Sequence, residues 1–189
     1  MLGTDRGLVK RLRGRDRDAA VELLDRYYPR IYRYLLHLCR RLETAEDLVQ
    51  ETFCTVWTSI DSFRFGSTLS TWIHSIARNH FLQHVRRSGP AEVPLGPALA
   101  ALPGRSEAGP EEQVSRSEEE ERLRRGIENL APERRDVVEL HYLQDLSLRE
   151  SSGVLGIPVG TVKSRLHAAL RDLRRGFAKG ESSYEHQEA

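Results

Sequence analysis

The residues with the clearest chemical potential lie near the end of the chain, where basic and hydrogen-bonding side chains follow a glycine-containing turn. Ser147 can cap a short helix from Leu148 to Leu155, Gly156 suits a left-handed C-cap, and Thr161 opens a longer helix. A short helix, a glycine turn and a second helix form the helix-turn-helix pattern. Residues 163–179 hold six Lys and Arg against one acid. The pattern favours a helix that enters the major groove of DNA, although a plain solvated basic helix is the alternative.

A second group of chemically useful side chains lies in the first half of the chain. Apolar positions from Ala45 to Ile60 recur every three or four residues, which predicts an amphipathic helix. Asp47, Gln50 and Glu51 fall beside that apolar stripe. Acceptor groups next to apolar atoms suit an arginine-bearing partner helix, although a solvated face above a buried stripe gives the same pattern.

No set of residues in the sequence has the spacing that an enzyme needs. His80 and His84 lie four apart on one predicted helix, but Phe81 stands where a zinc protease has glutamate, and no third ligand is evident. The sequence also lacks a nucleophile elbow, a phosphate loop and a dinucleotide fingerprint. We therefore predict no enzyme, no metal and no cofactor, and we expect Cys39 and Cys54 to fill cores.

The elements that carry these side chains are all predicted to be helices. The apolar spacing from Ala19 to Leu42 predicts one long helix or two, with a kink or restart at Pro29. Thr44 is the expected N-cap of the next helix. A third helix has apolar positions from Leu69 to Val85 and is expected to end at Ser88-Gly89-Pro90. The apolar stripe of the first region comprises Val21, Leu24, Tyr28, Ile31, Leu35, Leu38 and Leu42.

The net charge of +1 over 189 residues hides a strong asymmetry. Residues 1–88 have 15 Lys and Arg against 10 Asp and Glu, whereas residues 89–121 have 2 against 8. Five prolines and four glycines interrupt every candidate element between positions 89 and 117. The predicted fold is therefore all-α, with helical domains at 1–88 and 118–180, a flexible acidic linker at 89–117 and a disordered tail at 181–189.

The hydropathy of the sequence predicts no membrane-spanning segment. No stretch approaches eighteen uncharged apolar residues, and the first residues lack the apolar segment of a signal peptide. We expect the protein to act in the cytoplasm.

Two long motifs together resemble the group IV, or extracytoplasmic function, sigma factors of the bacterial sigma-70 family. The first comprises residues 45–53, Phe63-Arg64, residues 71–73 and residues 76–79, and is similar to regions two-point-two to two-point-four. The second, residues 155–167, is similar to region four-point-two. The resemblance implies a transcription initiation factor that binds the β′ clamp helices and β flap of core RNA polymerase, binds promoter DNA, and is controlled by an anti-sigma factor.

The resemblance also implies roles for individual residues. The polymerase-docking residues would be Asp47, Leu48, Gln50 and Glu51. The residues that hold the melted minus-ten strand would be Arg64, Ser67, Thr68, Trp72, Arg78, Asn79, Arg86 and Arg87, with Trp72 expected to be more core than stacking platform. The residues that recognise the minus-thirty-five duplex would be Thr161, Lys163, Ser164, Arg165, His167 and Arg171.

Four positions depart from the family pattern. Phe65 stands where glycine is common, which puts the loop geometry in question. Ser151 and Ser152 replace the usual isoleucine and alanine, and Ala168 replaces a basic residue. A helix-turn-helix regulator that acts alone is the rival hypothesis, but it explains only the last third of the chain.

Overall fold

The structure is a computed structural model that describes residues 2–88 and 121–184, and every regular element in these two ranges is helical. The prediction of an all-α fold is thereby confirmed. The predicted linker at 89–117 lies outside the described residues. The elements are α1 (Leu2–Arg13), α2 (Arg17–Cys39), α3 (Leu42–Ser59), a 3-10 turn (Ile60–Ser62), α4 (Leu69–Ser88), α5 (121–128), α6 (Pro132–Val138), a π-helical turn (Glu139–Leu143), α7 (Leu148–Leu155) and α8 (Val159–Tyr184).

Grouped by contacts, the described residues form two units. The first contains residues 2–88 and 149–157, and the second contains residues 121–148 and 158–184. The boundary differs from the expected 118–180 domain, because α7 groups with the first unit. No helix among the described residues has the length and apolar composition to cross a bilayer.

Helix α1 is an element that the sequence prediction missed. Leu8, Val9 and Leu12 are almost fully buried, so this helix contributes to the core of the first unit. Its Asp5 is also buried and receives an ion pair from Arg26 of α2 at 3.2 Å between Nη1 and Oδ1. The apolar signal spans little more than one turn, which is too short for a periodicity test to detect.

Helix α2 is continuous, and the predicted apolar stripe is confirmed at Ile31 and Leu35 but wrong in the first half of the helix. Pro29 lies inside the helix without a restart, and the helix ends where Arg40 adopts a left-handed backbone with φ 55°. Leu42 begins α3 instead of ending α2. The buried stripe in the first half of α2 comprises Ala19, Leu23, Tyr27 and Ile31, whereas the predicted core residues Val21, Leu24 and Tyr28 are exposed.

Helices α3 and α4 pack against α2 and against each other to complete the core of the first unit. The expected N-cap of α3 at Thr44 is wrong, because the helix begins at Leu42 with Arg41 in the cap position. The bounds of α4 agree with the predicted helix and its stop at Ser88. Cys39 is buried, and burial raises the pKa of its thiol, but Cys54 is exposed and is not a core residue as predicted.

In the second unit, α6 packs on α8 and begins with Pro132, whose fixed backbone suits the first helical position. Helix α8 begins at Val159, two residues before the expected Thr161, since the carbonyl of Pro158 already accepts from the amides of residues 161 and 162. The helix continues to Tyr184, so residues 181–184 are helical where disorder was expected. Residues 185–189 lie outside the described ranges.

Substitution of Gly156 tests the left-handed turn between α7 and α8. Its φ of +67° lies in the left-handed region, where a β-carbon costs about 1 kcal/mol or more. We expect Gly156→Ala to lower the free energy of unfolding by about that amount in a urea titration followed by circular dichroism. Gly160→Ala is the matched control, because Gly160 lies in the first turn of α8 and an added β-carbon there meets nothing within 4 Å. Equal midpoints for the Gly156 variant and the wild type would contradict the assignment.

Asp16 makes the stability of α2 depend on pH. Its Oδ1 accepts from the amides of Asp18 and Ala19 at the N-terminus of α2, and its Oδ2 pairs with Arg11 at 2.9 Å. The hydrogen bond from Arg11, followed by the backbone amides, holds the pKa of Asp16 below its usual value of 3.8. A lowered pKa stabilises the fold above pH 3.8, and the effect is lost as the pH falls through the folded value. Urea midpoints of wild type and Asp16→Asn should therefore differ at neutral pH and converge in acid. A constant difference at all pH values would contradict this.

Candidate functional site

The exposed face of α3 carries three of the four predicted docking residues. Asp47, Gln50 and Glu51 are exposed, and their spacing of three and four places them on one side of the helix. Leu48 is only 3% exposed, so the prediction that it contacts a partner is not supported by its position. It belongs to the buried stripe with Ala45 and packs inward, because positions 45 and 48 face the core together.

His80 of α4 holds the carboxylate of Glu51. Its Nδ1 lies 3.2 Å from Glu51 Oε2, and its Nε2 lies 2.9 Å from the hydroxyl of Thr55. Both ring nitrogens of His80 therefore have protein partners, which argues against the metal site that its spacing from His84 suggests. Among the described residues, no group of three or more His, Cys, Asp or Glu side chains could hold a metal ion. The contact therefore orients the carboxylate of Glu51.

An apolar groove of about 380 Å³ lies beside this face, between α2 and α3. Leu24 and Tyr28 of α2 are 40% and 39% exposed, and the Tyr28 ring stacks 5.9 Å from Phe53 of α3. Sequence reasoning missed the groove because it assigned Leu24 and Tyr28 to the core. The lining residues are Ala20, Leu23, Leu24, Tyr28, Gln50, Phe53, Cys54 and Trp57.

The loop between the 3-10 turn and α4 carries the predicted minus-ten residues Arg64, Ser67 and Thr68. Arg64 and Ser67 are exposed, and Thr68 is half-buried. The Thr68 hydroxyl accepts from the amide of Thr71 at 3.2 Å and bonds the Thr71 hydroxyl at 2.8 Å, so it caps the first turn of α4. Phe63, at the start of the loop, is buried and anchors it.

Helix α4 places Trp72, Asn79 and Arg86 seven residues apart, which corresponds to about two turns per step along one side of the helix. Trp72 is half-buried with its ring 5.1 Å from that of Phe63, so part of the indole is packed and part is accessible. Arg78 is half-buried, whereas Asn79, Arg86 and Arg87 are exposed. The residues of α4 that are predicted to bind single-stranded DNA thus extend from the loop to the C-terminus of the helix.

Helix α8 separates an apolar stripe from a basic face. Val162, Leu166, Ala169 and Leu173 are buried. The predicted duplex-contacting residues Lys163, Ser164, His167 and Arg171 are exposed, whereas Thr161 and Arg165 are half-buried. Ser164 lies in the first turns, where its hydroxyl donates to the carbonyl of Thr161 at 3.0 Å.

One surface depression lies on the basic face of α8. Its lining residues are His167, Arg171, Arg174 and Arg175. Asp172 is the one acid among residues 163–179, and it forms an ion pair with Arg134 of α6. Because Arg134 neutralises the carboxylate of Asp172, the face of α8 is more uniformly positive than the sequence suggests.

The described residues thus combine a polar face beside an apolar groove on α3 with a basic helix that follows a glycine turn. Residues 23–90 match Sigma-70 region 2, and residues 120–173 match Sigma-70, region 4. The chain is 33% identical over 174 residues to the ECF RNA polymerase sigma factor SigW of Bacillus subtilis, a match that covers 88% of this chain and 93% of SigW.

Two solved structures have a similar fold. CnrH in complex with the cytosolic domain of CnrY has a TM-score of 0.68 at 20% identity, over 93% of this chain and 97% of CnrH. The sigma factor RpoE in complex with the anti-sigma factor NepR from Bartonella quintana has a TM-score of 0.64 at 23% identity, over 83% of this chain and 95% of RpoE.

The chain belongs to the extracytoplasmic function group of the sigma-70 family. Members of this family are transcription initiation factors that bind core RNA polymerase and promoter DNA, and they are not enzymes.

Proposed function

We propose that this chain docks on the β′ clamp helices of core RNA polymerase through α3 and positions the enzyme at promoters through two DNA-binding surfaces. The observation that carries the proposal is the exposed set of Asp47, Gln50 and Glu51 beside the apolar groove. Carboxylate and amide acceptors bind arginine or lysine side chains of a partner helix, while the groove accommodates its apolar atoms. A regulator that binds DNA alone has no use for such a face.

The minus-ten element is bound as a single strand by the loop and by α4 in this proposal. Exposed Arg64, Arg86 and Arg87 supply phosphate contacts, and Ser67 and Asn79 supply hydrogen bonds to a base that has left the stack. Thr68 and Trp72 support the loop from its packed side and are less accessible to DNA.

The minus-thirty-five element is recognised as duplex by α8. Its exposed first turns place Lys163 and Ser164 where they can meet base edges in the major groove, and Lys163 can donate to guanine. Arg171 and the arginines that follow it contact phosphates. Residues 1–88 and 118–180 are the two functional domains in this proposal, and the site of action is the cytoplasm, where polymerase and chromosome are found.

Control by an anti-sigma factor is the regulatory part of the proposal. It is supported by the RpoE structure of similar fold, which contains the anti-sigma factor NepR. The groove between α2 and α3 offers apolar surface to a helix of such a protein, and occupation of this groove would compete with polymerase.

A run-off transcription assay tests the function. Purified chain and bacterial core polymerase are combined on DNA from upstream of the gene for this chain, with core polymerase alone as the control. We expect a discrete transcript that requires the chain. Absence of a transcript, together with failure of the chain to co-elute with core polymerase, would overturn the proposal in favour of a stand-alone DNA-binding regulator.

A further inference from the structure

Phe65 has an unusual backbone for a large side chain. Its φ of +58° lies in the left-handed region, which bulky L-residues rarely adopt. Phe65 is 37% exposed, so burial in the core does not account for this conformation. Contacts of the ring must therefore hold the loop in place.

Two of those contacts come from α1 and one from the loop itself. The guanidinium carbons of Arg6 and Arg13 each lie 5.7 Å from the centroid of the Phe65 ring, within the range of a cation–π interaction. The ring of Phe63 lies 4.9 Å from the same ring in a tilted arrangement, which aromatic pairs favour.

Arg13 binds the loop at a second point. Its Nη2 donates to the carbonyl oxygen of Phe63 at 2.5 Å while its guanidinium faces the Phe65 ring. Arg13 therefore restrains the backbone before Arg64 and the side chain after it. The residues of α1 thereby limit how far Arg64 and Ser67 can move relative to the start of α4.

We propose that Arg6, Arg13 and Phe65 form a clamp that positions the loop from Phe63 to Thr68 and so determines which base the loop accepts. The inference rests on the proposed recognition of the minus-ten strand. The three residues are positioning residues, because they act through the loop. A hydrogen-bond donor discriminates between bases only while it stays within a fraction of an ångström of its acceptor. Loss of the clamp therefore lowers base preference more than it lowers affinity.

The experiment measures base preference directly. Full-length chain bound to bacterial core polymerase selects from a pool of single-stranded DNA with randomised sequence, and the retained strands are sequenced. The test variants are Phe65→Gly, which tolerates the positive φ without the ring, and the double variant Arg6→Gln, Arg13→Gln, which leaves Phe65 in place. Lys10→Gln is the matched control, because it removes a cation from an exposed position of the same helix.

We expect the wild type and Lys10→Gln to prefer one base at the most discriminated position. Both clamp variants should lower that preference about tenfold. Both variants should still unfold cooperatively and co-elute with polymerase as the wild type does. If the folded clamp variants keep the wild-type preference, the clamp proposal is wrong and strand recognition by the loop stands. If the wild type itself shows no preference, the proposed minus-ten function of the loop fails, and the clamp proposal fails with it.

Discussion

Replacing Asp47, Gln50 and Glu51 together with alanine should eliminate both the run-off transcript and co-elution with core polymerase. Truncating one partner of a hydrogen-bonded charge pair that is buried on binding costs roughly 2–5 kcal/mol. Loss of two carboxylates and one amide should therefore weaken polymerase binding at least about 100-fold, which fluorescence anisotropy with labelled chain would measure. The fold should survive, because the three side chains lie outside the buried stripe of α3.

A charge-matched variant separates docking from a general loss of negative charge. Asp18→Asn, Glu133→Gln also removes two carboxylates, at exposed positions at the start of α2 and α6. This variant should bind polymerase as the wild type does. Normal binding by the triple alanine variant would show that α3 is not the docking helix. A His80→Ala variant would then be expected to have no effect on polymerase binding either, since its contact acts through Glu51.

Replacing Arg171, Arg174 and Arg175 with glutamine should weaken holoenzyme binding to promoter duplex by about tenfold or more at moderate salt. Each phosphate contact releases counterions, so three lost contacts should reduce the slope of log affinity against log salt by about three. Filter binding or anisotropy at several salt concentrations measures both quantities. The affected residues line one depression on α8.

Ser164→Ala provides the contrast for that experiment. Ser164 carries no charge and is exposed in the first turns of α8, so its loss should relax the sequence preference and leave the salt slope unchanged. An unchanged salt slope in the arginine variant would mean that the C-terminal half of α8 does not contact phosphates.

The sequence predicts the elements whose amphipathic pattern is long and unambiguous. Helix α4 and helix α7 have the bounds that apolar spacing and glycine punctuation indicate, and Gly156 has the positive φ expected of it. Each of these signals is local. The polar face of α3 could likewise be inferred from spacing alone, because exposure follows directly from the position of the buried stripe.

Other features depend on contacts between segments that are distant in the chain. Helix α2 carries two stripes with the same helical period, and only packing against α1, α3 and α4 decides that Leu23 is buried while Leu24 is exposed. The contact of Arg13 with Phe63 spans fifty residues, and the ion pair of Arg134 with Asp172 spans thirty-eight. Periodicity cannot predict such pairings, since it describes one helix at a time.

The different surroundings of the two cysteines also affect how the protein can be handled and probed. Cys39 is buried and its thiol has a raised pKa, whereas Cys54 is exposed in the groove beside Gln50. The sequence contains no other thiol. Alkylating reagents and fluorescent maleimides therefore modify one side of the molecule in the folded state, and that side is the proposed polymerase-docking face. Oxidation of the exposed thiol would change the surface of this groove without disturbing the buried core, so reducing agent belongs in every assay buffer.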